Sequence, residues 1–298
     1  MRRIVIILTI SASLYPCFAE INGSVRIAAI RVSFLEDDSP GTTGNGSFLL
    51  NAPIDTCGRY TIDPVPHDRS YFESQLVAVN NYFRSVSYGK FGLDLDQSIV
   101  FPLSDENSYV LPKTMDYYHP YNQTDIHDQR VTELFRDALE TAYNDDEIDF
   151  SNFDHVVIFH AGIGQDFSLP FLDPTPEDIP STFIDDDMLQ EFVGGMLQFG
   201  TVTINQGIIL PETQNHLFYQ ESENIFLDAE EPCDYQYGLT GTFALMLGFA
   251  IGLPPLWDTN SGQSGIGIFG LMDQGSNNGR GLIPAPPDAW SRKFAGWE

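Results

Sequence analysis

Six histidines, His67, His119, His127, His155, His160 and His216, are the residues of this chain best suited to hold a transition metal or to move a proton near neutral pH. No two of them stand four apart, so no helix face carries the histidine pair with adjacent glutamate that a zinc hydrolase uses. Other catalytic patterns fail on their flanks. Gly265, Gly267 and Gly270 fit G-x-G-x-x-G, but TNSGQS precedes them and LMDQGS follows, where a phosphate loop needs a strand and then a helix. No G-x-S-x-G elbow occurs, and Asp55–Thr56–Cys57–Gly58 is not the Asp-Thr-Gly of an aspartic peptidase. The acidic clusters Asp145–Glu147 and Asp185–Asp187 read first as solvated surface. Calcium is the ion such hard oxygen donors would suit, but no EF-hand spacing assigns positions to it.

Arg2–Arg3, the apolar run Ile4–Leu14 and the small-residue site Cys17–Phe18–Ala19 read as a signal peptide cut after Ala19, which predicts a secreted or periplasmic protein. Pro16 stands where a lipoprotein box needs a small residue, which argues against anchoring at Cys17. Loss of Arg2 and Arg3 takes the formal net charge from −28 to −30. That charge excludes nucleic acid as a partner and disfavours anionic membranes. Cys57 and Cys233 are then the remaining cysteines, and in an oxidising compartment they are candidates for a disulfide or stay as two free thiols. A bond between them would constrain the unfolded chain by on the order of 4–5 kcal/mol.

The order of elements predicts an α+β protein, with residues 20–298 forming a single domain of two lobes around a cleft. Val25–Phe34 reads as a first strand, and Gly41–Asp68 as a Gly/Pro/Asp/Asn-rich excursion. Phe72, Leu76, Val79 and Phe83 mark one helical face, ending near Gly89; Leu93–Phe101 reads as a strand. Val131, Leu134, Phe135, Ala138, Leu139 and Ala142 form the stripe of a second amphipathic helix. His155–His160 lie in a third strand, an acidic insertion spans Gln165–Met188, and Phe192–Leu210 reads as strand-rich and near the cleft wall. The uncharged run Tyr237–Trp257 is a buried core helix, because its glycines and prolines and the adjacent Asp258 argue against a membrane span.

Within that run, Gly241–Asp258 (GTFALMLGFAIGLPPLWD) resembles the helix of the immune inhibitor A-type secreted metallopeptidases, which reads roughly A-H-E-x-G-H-x-x-G-L-P-D-L-Y-D. Ala244, Gly248, Gly252, Leu253, Pro254, Leu256 and Asp258 match that pattern. Ser264–Gly275 (SGIGIFGLMDQG) is similar to the family's S-G-I-G-x-x-x-L-M-D-x-G segment, and Pro284–Trp297 to its ending. Tyr82–Leu93 (YFRSVSYGKFGL) resembles a Y-F-x-x-x-S-Y-G-K-F-x-L block, and Val156–Gln165 a strand running into an H-A-G turn with His160. The likeness covers roughly residues 25–298.

The resemblance implies a zincin-like fold: a twisted mixed sheet, a former active-site helix at about 239–252, and Met272 beneath the metal. It also implies where the metal would be held, and there the chain departs from the family. The two histidines, the glutamate and the acidic third ligand are replaced by Leu245, Phe249, Met246 and Pro255. Leu and Phe carry no donor atom, and a thioether is a soft ligand suited to copper(I) rather than zinc. No zinc is expected at this position. With the ion gone, apolar side chains fill its volume without leaving polar groups unpartnered. Met272 is then expected to pack against Leu245, Met246 and Phe249. The implied function is a catalytically inactive relative acting as a binding or structural module, with a peptide or protein ligand in the cleft. The alternative is a metal-dependent peptidase or other hydrolase whose ligands have moved, to acids or to His155, His160 and His216.

Overall fold

The computed structural model describes residues 20–51, 62–166, 173–219, 232–259 and 261–298, with the side chains of 216–219 and 232–235 excluded. The expected leader, Cys17 and Cys57 lie outside the described residues, as does the Cys233 side chain, so the disulfide expectation falls outside them too. The elements in chain order are β1 (Gly23–Val25), β2 (Ile27–Ser33), α1 (Arg69–Val86), β3 (Phe91–Leu93), β4 (Ile99–Phe101), β5 (Tyr109–Val110), α2 (Met115–Tyr118) and α3 (His127–Asp146). Then follow β6 (His155–Ile163), β7 (Thr182–Ile184), α4 (Asp186–Phe192), β8 (Leu197–Phe199), β9 (Val202–Ile204), β10 (Gly207–Thr213), β11 (His216–Tyr219), β12 (Pro232–Tyr235), α5 (Leu239–Ala250) and α6 (Ala289–Phe294).

The main sheet has the order β4-β2-β6-β10-β7, with β5 also paired to β2. β4, β2, β6 and β10 run parallel, and β7 closes one edge antiparallel to β10. All seven residues of β2 are buried, as expected of a parallel strand covered on both faces. Phe159 of β6 meets Phe72 of α1, with ring centroids 4.7 Å apart, and Phe243 of α5 at 5.6 Å. These two helices therefore share one face. On the other face, a Cβ at Gly207 would collide with Phe135 of α3, so glycine permits that close approach. The molecule is thus mixed α+β, with helices on both sides of a mixed sheet.

Asp68 caps α1 by accepting from the Tyr71 amide at 3.1 Å, and Phe72, Leu76, Val79 and Phe83 lie on its buried face. The expected strand Leu93–Phe101 is instead two short strands. Asp94 accepts from the Gln97 and Ser98 amides and bends the chain between β3 and β4. Phe192–Leu210 is strand-rich as expected: after α4 ends at Phe192 and Gly194 and Gly195 take positive φ, the β8–β9 hairpin leads into β10. The acidic insertion contains β7, the antiparallel edge of the sheet. No helix among the described residues is long and apolar enough to cross a membrane.

Candidate functional site

α5 is apolar nearly all round because it lies between the sheet and the C-terminal segments. Gly238 precedes it and offers no side-chain cap. The missing acceptor comes from afar: the Asp63 carboxylate accepts from the Leu239 amide at 2.9 Å, placing negative charge at the positive pole of the helix. At the other end, Gly252 has φ of 90°, the Leu253 amide donates to the Gly248 carbonyl at 2.8 Å, and the Gly252 amide donates to Phe249 at 2.9 Å. This pair of bonds is a Schellman turn, and Pro254–Pro255 then keep the helix from resuming.

Leu245, Met246 and Phe249 occupy the less buried face of α5 and pack at its margin against the core. Phe249 stacks on Phe183 of β7, with centroids 5.9 Å apart and planes inclined 26°, and meets Trp257 edge to face at 5.4 Å. Pro255 is exposed. These side chains do not fit zinc: an aromatic wall stands where nitrogen and oxygen donors would be needed. Among the described residues, no group of three or more His, Cys, Asp or Glu side chains could hold a metal ion.

Met272 is fully buried, and its sulfur lies 2.7 Å from where a Cβ would stand on Gly248. Met272 thus seats on the backbone of α5 at a glycine. The Leu256 amide donates to the Met272 carbonyl at 2.8 Å, and Trp257 bridges to Ser264. Asp258 closes the intervening loop, its carbonyl accepting from Gly262 and its carboxylate from the Ser261 amide.

The SGIG loop has a clear task. Its Gly265, Ile266 and Gly267 amides and the Ser264 hydroxyl all donate to one oxygen of Asp273, at 2.9, 2.7, 2.8 and 3.0 Å. Successive amides aimed at one point form an anion nest, and here the anion is the protein's own carboxylate. Burial pushes the Asp273 carboxyl up, but these donors outweigh it and hold the group below the usual range. The G-x-G-x-x-G match is therefore a loop whose donors are already engaged.

The blocks carrying the resemblance also touch one another. The Tyr82 hydroxyl donates to the Ala285 carbonyl at 2.7 Å, Lys90 to the Gly296 carbonyl at 2.7 Å, and Phe91 stacks on Trp297 at 6.2 Å.

His119 and His127 lie ring to ring, with centroids 4.0 Å apart, but His155 and His160 do not meet. His155 and His160 stand five apart on one strand, so their side chains leave opposite faces about 16 Å apart along it. His160 is fully buried, its Nδ1 is 2.8 Å from the Ala161 carbonyl, and burial pulls its pKa down to about 4. The His216 side chain lies outside the described residues.

A buried polar group at the start of α5 gave no sequence signal. His67 Nδ1 lies 3.2 Å from Glu212, its Nε2 lies 2.8 Å from the Asp63 carbonyl, and its ring stacks on Tyr71 at 4.4 Å. Burial lowers the His67 pKa, but the Glu212 bond and charge outweigh it and raise the net value; burial raises Glu212. Asp63 holds φ of 53°, which aspartate tolerates better than most residues. Its partners are up to 176 residues away in sequence, which is why no local pattern reveals them. Neither any known family model nor any curated protein matches the chain.

Proposed function

We propose that this protein is a secreted, non-catalytic relative of the immune inhibitor A-type metallopeptidases, with a zincin-like fold of two lobes, retained as a peptide- or protein-binding module. One observation carries the reading: Phe249, at the position of a family metal ligand, is packed between Phe183 of the sheet edge and Trp257. A ring held on two sides by other rings cannot give way to an ion. The helix stop at Gly252, the Met272–Gly248 seat and the contacts among the matching blocks support the same descent.

β7 borders this aromatic wall and pairs with β10 on one side, leaving its other edge without a strand partner among the described residues. An extended peptide can add to such an edge through main-chain hydrogen bonds, with alternate side chains against the aromatic surface. The ligand on this reading is a peptide segment, bound and not cleaved.

The test restores the family's donors. A variant with Leu245→His, Met246→Glu, Phe249→His and Pro255→Asp is expected to bind cobalt(II) with a tetrahedral absorption spectrum, provided circular dichroism shows it folded. A folded variant that binds no metal overturns the assignment of these positions.

A further inference from the structure

The end of α3 is electrostatically unusual. A helix C-terminus carries about half a negative charge and ordinarily attracts Lys or Arg. The last turn of α3 has no basic residue; it carries Asp145 and Asp146, then Glu147 at the C-cap, with Asp149 close behind. Asp146 is engaged by the Tyr109 hydroxyl and Asp149 by the Ser151 amide and hydroxyl. The Glu147 side chain has no partner among the described residues, although its backbone holds φ of 49°, a conformation uncommon outside glycine.

This negative pole borders a cavity of about 580 Å³ lined by Tyr143, Asn144, Glu147, Asp149, Phe150 and Phe199. Three of its lining residues are aromatic. Tyr143 lies 5.3 Å from Phe199 and 6.5 Å from Phe150, and those two rings are 5.1 Å apart. Phe150 and Phe199 are buried, whereas Tyr143 is half-buried.

We propose that this cavity binds an alkylammonium group, such as a lysine side chain or a quaternary amine. The carboxylates and the helix pole favour positive charge, which excludes anions. The described carboxylates do not gather as a metal-holding group, whereas calcium needs six to eight oxygens at about 2.3–2.6 Å. An ammonium bearing carbon is attracted both by acids and by an aromatic face, and it fills a wider space than a bare ion.

The probes are tetramethylammonium and N-acetyl-lysine methylamide, titrated into the full chain at constant ionic strength and followed by NMR of the Tyr143 and Phe199 rings. Saturable shifts are expected, weakened roughly fivefold or more by Tyr143→Leu and about threefold by Glu147→Gln. Tighter binding of the lysine compound marks a peptide side chain as the source, and tighter binding of tetramethylammonium marks a free quaternary amine. Should Tyr143→Leu fail to fold, the exposed Glu147→Gln substitution carries the test. Shifts that rise linearly without saturation, equal shifts with sodium, or calcium binding at this cavity in place of both amines would overturn the proposal.

Discussion

Phe183 on the antiparallel edge strand stacks on Phe249 of α5, with ring centroids 5.9 Å apart, so one aromatic contact joins the sheet edge to the less buried face of that helix. Trp257 closes the far side of the Phe249 ring. Phe249→Ala removes both contacts and is expected to lower stability by about 2 kcal/mol, below the cost for a fully buried Phe because this ring is half-exposed. Phe249→His keeps a ring but adds polar atoms without partners, and is expected to lower stability less than Ala without creating a zinc site. Urea unfolding of both variants with and without zinc measures this.

Gly248 and Gly241 both permit close approach to α5, but their neighbours differ. A Cβ at Gly248 would stand 2.7 Å from the Met272 sulfur, a flexible atom, whereas a Cβ at Gly241 would collide with the Ser276 carbonyl oxygen, which is backbone. Gly248→Ala is expected to cost about 1 kcal/mol net, since overpacking is offset in part by better helix propensity. Gly241→Ala is expected to cost more. A cycle combining Gly248→Ala with Met272→Leu should show coupling of about 1 kcal/mol, while Gly241→Ala with the same Met272 change should be additive.

Asp273 gathers four donors on one oxygen, so its removal leaves three amides and a hydroxyl unpaired. Asp273→Ala is expected to lower stability by about 3 kcal/mol or more. The sign of the pH dependence follows from the depressed carboxyl. Its contribution is present above the unfolded value near about 4 and is lost as pH falls through the lower folded value. The stability gap between wild type and Asp273→Asn should therefore narrow below about pH 4 in acid-unfolding curves.

Asp178 shows the opposite linkage. It is fully buried, accepts from the Thr43 amide at 2.7 Å and hydroxyl at 2.6 Å, and burial outweighs these bonds to push it up to about 7. Its favourable contribution is complete below about pH 4 and is lost as pH rises through about 7. Asp178→Asn can keep the Thr43 amide bond and donate to its hydroxyl, so it should gain about 2 kcal/mol relative to wild type between about pH 5 and about pH 8. His119 and His160 run the other way: burial pulls both down to about 4, so their contribution is present above about 6.5 and is lost as pH falls toward 4. Denaturant midpoints of wild type and Asp178→Asn at the two pH values isolate the Asp178 effect.

Local periodicity made much of the scaffold readable. The stripes Phe72–Phe83 and Val131–Ala142 have the helical spacing of α1 and α3, and the continuous apolar run of β2 has the composition of a strand buried on both faces. Gly252, with Pro254 and Pro255 just beyond it, marks the end of α5 in the sequence itself. Elements that depend on distant partners were opaque. β7 is three residues long, lies within an acidic run, and becomes a strand through pairing with β10. The seat of Met272 on Gly248 likewise depends on how two segments pack. The Asp63, His67 and Glu212 group joins a loop, a helix start and a strand far apart in sequence.

The central claim is that hydrocarbon and aromatic surface stand where a metallopeptidase holds its ion. The most direct measurement is metal content of the purified chain by plasma mass spectrometry, before and after dialysis against a chelator, with peptide hydrolysis followed in parallel. The account predicts substoichiometric zinc, no hydrolysis at either stage, and an unchanged unfolding midpoint. One zinc per chain, removed by the chelator together with a peptidase activity, would contradict it.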